Sequence, residues 1–275
     1  MSAGRLPGKG PLRLGPVTLP AGTLIAGYPG KGHPVAWATV DPVPESGRVW
    51  SALSRLHPRT GLVPIQLDGL NGDTRRPWDS GEFTEPADPR EADGLDASAV
   101  LRFDWRAWVP HPRHDDAELM QMRAPFTQEW PGLAPPERAP LTEAGRRHAL
   151  DVELPQVRRV NGATPQARIG LVAAARPADV LLVIGWGGLV NCGESLPELT
   201  AVLRSWEDRF GARLIDVGYA GLRLFVERPP RTLQGAERLA AEQVVLGGDC
   251  IGGARDIPGT ASRLLNSPIW TFWWD

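Results

Sequence analysis

The sequence predicts an α+β protein with a C-terminal ferredoxin-like split βαβ module and an N-terminal mixed α/β region. The prediction rests on short apolar runs of strand length, on helical apolar spacing, and on their order. From residue 168 onward that order is strand, helix, strand, strand, helix, strand. We expect an N-terminal region over residues 1–150, a linker over 151–167 and the ferredoxin-like domain over 168–275.

The N-terminal region alternates short strands and helices between long loops. Apolar runs predict strands at 22–25, 35–40 and 62–67, and helical spacing predicts helices at 48–56 and 96–108. Asp96 is a favourable cap for the second helix. Proline and glycine interrupt both periods at 71–93 and 125–140, which predicts a surface loop and a linker or wrapping loop.

The C-terminal region has clearer signals. Strands are predicted at 168–174, 213–219, 222–227 and 268–275, and helices at 177–184, 196–210 and 233–245. Ser195 and Glu198 have capping-box spacing, Gly211 supplies a helix stop, and Thr232 caps the last helix. The helix over 196–210 carries one apolar stripe: Leu196, Leu199, Val202, Leu203, Trp206 and Phe210.

The chain contains 11 tryptophans, and its last residues read PIWTFWWD. Alternation places Trp270, Phe272 and Trp274 on one face of a strand, and Trp273 on the other. Because large aromatic side chains dominate protein cores, we expect the first three to be interior together with Trp206. The alternative is an exposed aromatic platform that stacks on a ligand.

Charge and apolar content argue against several classes of partner and location. The net charge of −2 gives no attraction for nucleic acid or anionic lipid. The most apolar stretch, 180–190, is shorter than the roughly 20 residues of a membrane span. No leader peptide is recognised, and Cys192 and Cys250 favour free thiols over a disulfide scaffold. We therefore expect a cytoplasmic protein that binds neither nucleic acid nor membrane.

Three C-terminal blocks resemble the bacterial family called domain of unknown function 4253. They are RPADVLLVIGW at 176–186, LTAVLRSWEDRFGARL at 199–214 and WTFWWD at 270–275. The resemblance implies no established activity. The sequence differs from the family pattern at Asn191-Cys192-Gly193, where related chains carry Asn-His, and at 247–250, where they carry a Cys-Pro-Asp-Asn turn.

Two places could carry enzymatic chemistry. His111 and His114, followed by Asp115 and Asp116, are possible metal ligands, but the neighbouring prolines favour a solvated turn. Cys192 precedes a predicted helix start, whose partial positive charge would favour a thiolate. All five histidines lie in the first 150 residues, so only a tertiary contact could supply its base.

The leading hypothesis is a non-catalytic module that binds another protein or a small ligand. The expected binding residues lie on the loop 186–194 and at the sheet end: Trp186, Asn191, Cys192, Glu194, Tyr219 and Trp273. The alternatives are a hydrolase or transferase using Cys192 or a metal at His111 and His114, and a structural or assembly protein. No cofactor is expected, because the glycine-rich segments 27–33 and 185–193 lack nucleotide-binding spacing. The oligomeric state is left open.

Overall fold

The computed structural model describes residues 2–27, 32–67, 83–109, 117–160, 167–189, 195–247 and 256–274. Within them, eight strands form one sheet in the order β1-β2-β3-β5-β4-β6-β7-β8. The strands are β1 (Gly10–Leu14), β2 (Val17–Ala26), β3 (Pro34–Thr39), β4 (Leu62–Leu67), β5 (Arg168–Ala173), β6 (Ala212–Val217), β7 (Gly221–Val226) and β8 (Ile269–Trp273). Neighbours are antiparallel except β4 and β6, which are parallel. The predicted mixture of helix and strand is confirmed.

Helices cover both faces of the sheet. They are α1 (Ser46–Thr60), α2 (Ala97–Trp108), α3 (Ala117–Arg123), α4 (Glu143–His148), α5 (Leu154–Val160), α6 (Val180–Ile184), α7 (Leu196–Phe210), α8 (Leu233–Gly247) and α9 (Ile257–Leu264). A π-helical turn at Ala149–Glu153 joins α4 to α5. The larger core lies between one face and α2, α6, α7, α8 and α9, while α1 and the 143–160 helices pack on the other.

Helix α7 forms where the sequence predicts it. Ser195 Oγ accepts a hydrogen bond from the backbone N–H of Glu198 at 3.3 Å and donates to its carboxylate at 2.7 Å. Gly211 ends the helix with a φ of 63°, a left-handed conformation that glycine adopts without steric cost. The caps predicted at Asp96 and Thr232 are also confirmed, since they accept from Ser98 N and Gly235 N.

The closing aromatic residues are interior, as predicted. Trp206, Trp270, Phe272 and Trp274 are each at most 2% exposed. The ring of Phe272 stacks between Trp206 and Trp274, with centroid distances of 5.4 and 5.7 Å. Trp273 points to the other face and is 40% exposed. This cluster fixes β8 against α7, because each aromatic pair adds about 1 kcal/mol to its hydrophobic burial.

The ferredoxin-like arrangement is not confirmed. Strand β4, from the N-terminal part, lies between β5 and β6, so the C-terminal strands do not form a sheet by themselves. Every residue of β4 is buried. A strand buried on both faces needs hydrogen-bonding neighbours along both edges, and β5 and β6 provide them.

Several elements have no counterpart in the sequence prediction. They are β1, α3, α9 and the helices over 143–160, the last of which extend into the predicted linker. Of the predicted loop at 71–93, residues 71–82 lie outside the described residues. The segment 125–140 contains no helix or strand and wraps over the large core, where Gln128 O accepts from Trp105 Nε1 at 2.9 Å.

Candidate functional site

A row of polar side chains crosses three adjacent strands on the face covered by α1 and α5. Gln66 on β4 is in register with Asp216 on β6, which is in register with Arg223 on β7. The next residues of β4 and β6, Leu67 and Val217, belong to the large core on the opposite face. The alternation of each strand therefore directs these three polar side chains to one side of the sheet. We call Gln66, Asp216 and Arg223 the polar row.

A bulge and a helix help to place the polar row. The pairing of β6 with β7 shifts register between Leu214 and Asp216, and such bulges re-aim side chains. Trp50 of α1 donates its indole N–H to Pro64 O at 2.9 Å and to Leu214 O at 3.1 Å. These bonds attach α1 to both β4 and β6, next to the point where the parallel pairing begins.

Arg158 of α5 closes over the row. Its Nη1 donates to Asp216 Oδ2, and Arg223 Nη1 donates to the same oxygen at 2.7 Å. Asp216 is 0% exposed and Arg158 is 1% exposed. Two guanidinium groups thus hold one carboxylate oxygen inside the protein, where charged hydrogen bonds are strong because the surroundings are apolar.

Four polar atoms of the row have no hydrogen-bond partner among the described residues. They are both amide atoms of Gln66, Oδ1 of Asp216 and Nε of Arg223. The side chain of Gln66 is 0% exposed. More than nine in ten buried polar groups in proteins are paired, and each orphan costs about 1–3 kcal/mol. This concentration of orphans makes the polar row the principal candidate site.

A cavity of about 320 Å³ adjoins the polar row between α1 and α5. Its lining comprises Glu45, Ser46, Gly47, Arg48, Gln66, Leu150, Asp151, Leu154, Pro155, Arg158 and Arg159. The π-helical turn contributes Leu150 and Asp151. Turns of this kind are frequent at functional sites. The volume of the cavity lies at the lower end of the range for small-molecule pockets, about 300–1,000 Å³.

Arg48 organises the rim of the cavity. It contacts both oxygens of Asp151, at 2.7 and 2.6 Å, and reaches Glu45 Oε1 at 3.0 Å. The hydrogen bond from Arg48 holds the pKa of Asp151 below its usual value, with a further contribution from the positive charge of Arg147. Arg48 therefore binds both carboxylates of the rim, and the lowered pKa makes Asp151 a poor general base.

A second buried carboxylate, Glu242 of α8, lies in the large core and is fully paired. Its Oε1 accepts from Ala134 N at 2.6 Å and from Arg209 at 2.7 Å. Its Oε2 accepts from Trp206 Nε1 at 2.8 Å and from Arg209 at 2.6 Å. Four donors satisfy both oxygens, so this network holds the wrapping loop to α7 and α8 and leaves nothing for a ligand.

A larger cavity, of about 1,400 Å³, lies between the N-terminal segment, β2 and β3 and residues 84–86. Arg5, His33 and Glu85 are its charged or titratable lining residues. None of the orphaned buried polar atoms found among the described residues belongs to its lining. Size alone therefore does not make it the stronger site.

The predicted binding residues fall into two groups. Trp186, Tyr219 and Trp273 meet at the β6–β7 turn, where Trp186 donates to Gly218 O at 2.9 Å and Trp273 pairs with Gly221. Trp186 is 1% exposed, whereas Tyr219 and Trp273 are each 40% exposed. Only the last two therefore offer surface to a partner. Asn191, Cys192 and Glu194 lie outside the described residues.

The residues of the enzymatic alternatives also lie outside the described residues. They are His111, His114, Asp115 and Asp116, together with Cys192. In the described ranges, no group of three or more His, Cys, Asp or Glu side chains could hold a metal ion. The same ranges contain no helix that is both long and apolar enough to cross a lipid bilayer.

Comparison with known families adds one finding. Residues 168–275 match the family model of DUF4253, a domain of unknown function. The resemblance seen in the sequence is therefore confirmed over these residues. No curated protein and no solved structure matches the chain. The DUF4253 segment supplies Asp216 and Arg223 of the polar row, while Gln66 and Arg158 precede it.

The sequence prediction missed the three residues of the polar row and also Arg158, which binds Asp216. A signal was nevertheless present, because Gln66 in LVPIQL is the one polar residue of its strand and Asp216 in ARLIDV is the one buried polar residue of its strand. A polar side chain in a buried strand needs a partner. Which residues supply it depends on strand pairing, and Gln66 and Asp216 are too far apart in the chain for local patterns to reveal it.

Proposed function

We propose that the protein is a binding module for a small polar ligand, held in the cavity beside the polar row. The observation that carries the proposal is the buried side chain of Gln66, whose amide oxygen and nitrogen both lack a described partner. An amide can accept through its oxygen and donate two hydrogen bonds through its nitrogen. A ligand with polar groups would supply the missing partners.

Binding fits the cavity better than catalysis does. Asp216 accepts from two arginines, and Asp151 and Glu45 both accept from Arg48. Arg48 holds the pKa of Asp151 below its usual value, so this carboxylate is a poor proton acceptor. The described lining contains no cysteine or histidine, and its one serine, Ser46, makes no side-chain hydrogen bond with a described carboxylate. The arrangement is thus suited to hold a polar molecule in place.

The test is a melting-temperature screen of small polar metabolites against the wild-type protein and Gln66→Leu. Leucine keeps a similar volume and removes both amide groups. A ligand at 100 times its dissociation constant stabilises the folded state by about 2.7 kcal/mol. We expect at least one compound to raise the melting temperature of the wild-type protein and to have a much smaller effect on Gln66→Leu.

The control is Thr39→Val, a change of a buried side chain whose hydroxyl is already paired with Asp41 O at 2.8 Å and Ile169 N at 3.1 Å. This variant should respond to the ligand like the wild-type protein. An equal response of the wild-type protein and Gln66→Leu to every stabilising compound would rule out the cavity as the binding site.

A second candidate function is binding of another protein at the sheet end. Strand β8 is the last strand of the sheet, and its Trp273 is 40% exposed beside the equally exposed Tyr219. An edge strand offers unpaired backbone groups to an added strand. If a second copy of the chain adds there, the wild-type protein should be dimeric by light scattering and Trp273→Ser monomeric. Monomers in both cases would exclude this self-association.

A further inference from the structure

We infer that the cavity beside the polar row binds an oxyanion, a carboxylate or a phosphate group of its ligand, at the first turn of α1. The inference rests on the proposed function and adds the chemical class of the ligand. It depends on three features that meet in one cavity: an uncapped helix start, the unpartnered Gln66 and an exposed arginine.

The first turn of α1 has unused hydrogen-bond donors. Glu45, at the N-cap position, has a φ of 50° and its side chain makes no capping hydrogen bond. The backbone N–H groups of Arg48 and Val49 donate hydrogen bonds to Glu45 O, at 2.8 and 3.1 Å. Those of Ser46 and Gly47 make no hydrogen bond with other described residues, although both residues line the cavity. Free N–H groups and the helix dipole favour a negative charge here.

Gly47 allows the helix start to lie close to the opposite wall. A Cβ at this position would approach Leu150 O to 3.1 Å and Leu154 Cδ2 to 3.4 Å. The absence of a side chain therefore lets the first turn of α1 pack against the π-helical turn and α5. This packing brings the α1 donors into the cavity that Gln66 and Arg158 also line.

Gln66 is the independent observation that points to a ligand. Its amide is buried, makes no described hydrogen bond and lines the same cavity as the α1 start. The Nε2 group is a donor that an oxyanion can satisfy. The helix end alone would be an ordinary uncapped terminus. A buried amide without a partner beside it is not explained by the packing of the protein.

The charges of the lining also favour an anion. Three arginines and two carboxylates line the cavity, and the two carboxylates, Glu45 and Asp151, are both bound by Arg48. Arg158 binds Asp216 below the cavity. Arg159 is exposed at the rim and forms no ion pair with another described residue. It is the cation available to an incoming ligand.

The neighbouring surface is positive as well. A cavity of about 380 Å³ lies on the other side of the Arg48–Asp151 pair, and Arg55, Arg146 and Arg147 are in its lining. Arg146 is bound to Glu227 and Glu143, so Arg55 and Arg147 contribute most of this field. Clustered charges of one sign raise the local concentration of an oppositely charged ligand at low ionic strength.

The test is titration calorimetry of the full chain with inorganic phosphate and with succinate at low ionic strength. Sodium chloride at equal ionic strength is the reference. The variants are Arg159→Ala and Gln66→Leu, and the matched control is Arg106→Ala, an exposed arginine of α2. We expect saturable binding whose dissociation constant rises at least about tenfold in both site variants, because each variant removes a charge-assisted hydrogen bond to the anion. The dissociation constant should be unchanged in the control.

The outcomes separate this inference from the proposed function. Binding of phosphate alone or of succinate alone supports the inference and identifies the group. Equal weakening in Arg106→Ala, or no anion binding at all, overturns it. If uncharged polar compounds stabilise the protein through Gln66 while anions do not bind, the anion inference fails and the proposed function stands. If neither class binds, both fail.

Discussion

Glu242 and Asp216 are both fully buried carboxylates, but their surroundings differ. Glu242 receives four hydrogen bonds from Arg209, Trp206 and Ala134, and neither of its oxygens is free. Asp216 receives two, both on Oδ2, and lies beside the unpartnered amide of Gln66. A complete network stabilises a core. The incomplete network around Asp216 instead leaves buried donors and acceptors unpaired, which costs stability.

The strongest test of the comparison is a fragment of residues 168–275 alone. It lacks β4 with Gln66 and the α5 residue Arg158, and it lacks Ala134 beside Glu242. Both networks lose partners, and β5 and β6 lose the strand between them. We expect no cooperative urea unfolding by circular dichroism. A sharp transition would mean that the DUF4253 segment folds by itself, as the predicted domain boundaries suppose.

The next largest effect is expected for Glu242→Leu. The change leaves the Arg209 guanidinium, the Trp206 indole N–H and the Ala134 N–H without their acceptor inside the core. Breaking a buried charge pair in this way costs about 3–5 kcal/mol. Urea denaturation should show this loss in the free energy of unfolding. Exposed Glu118→Leu is the control, and a loss below about 1 kcal/mol at Glu242 would contradict a structural role.

Gln66→Met should change the free energy of unfolding in the opposite direction from Glu242→Leu. Removing an amide that has no described partner relieves the cost of burying it, so the free energy of unfolding without ligand should rise by about 1 kcal/mol. Thr39→Val, which breaks two existing hydrogen bonds, should lower it by about 1 kcal/mol. If Gln66→Met destabilises the protein as much as Thr39→Val does, the incomplete network is a feature of packing and not of binding.

The smallest effect concerns Asp104 on α2, a carboxylate that forms no ion pair with another described residue. Burial, with a contribution from the negative charge of Glu198, raises the pKa of Asp104 to about 6. The folded state then holds a proton that the unfolded state releases near pH 4, so stability falls as the pH rises between about 4 and 6. Asp104→Asn should raise the melting temperature at pH 7 and leave it unchanged at pH 4. Equal shifts at both pH values would exclude this titration.

The sequence was most informative where structure depends on nearby residues. Ser195 and Gly211 mark the ends of α7, and the alternation of Trp270 and Phe272 shows which face of β8 is buried. The insertion of β4 between β5 and β6 was not predictable, because strand pairing joins residues that are distant in the chain. The candidate site depends on the same pairing. Its residues become neighbours only after the sheet has formed.

The parallel contact between β4 and β6 has a consequence for how a bound molecule would act on the chain. Gln66 and Asp216 are register partners, although most of the sequence separates them. A molecule touching both would act as a noncovalent cross-link that closes this long loop in the folded state only. Binding would thus stabilise the whole sheet against unfolding, because the separation of β4 from β6 would first require release of the molecule.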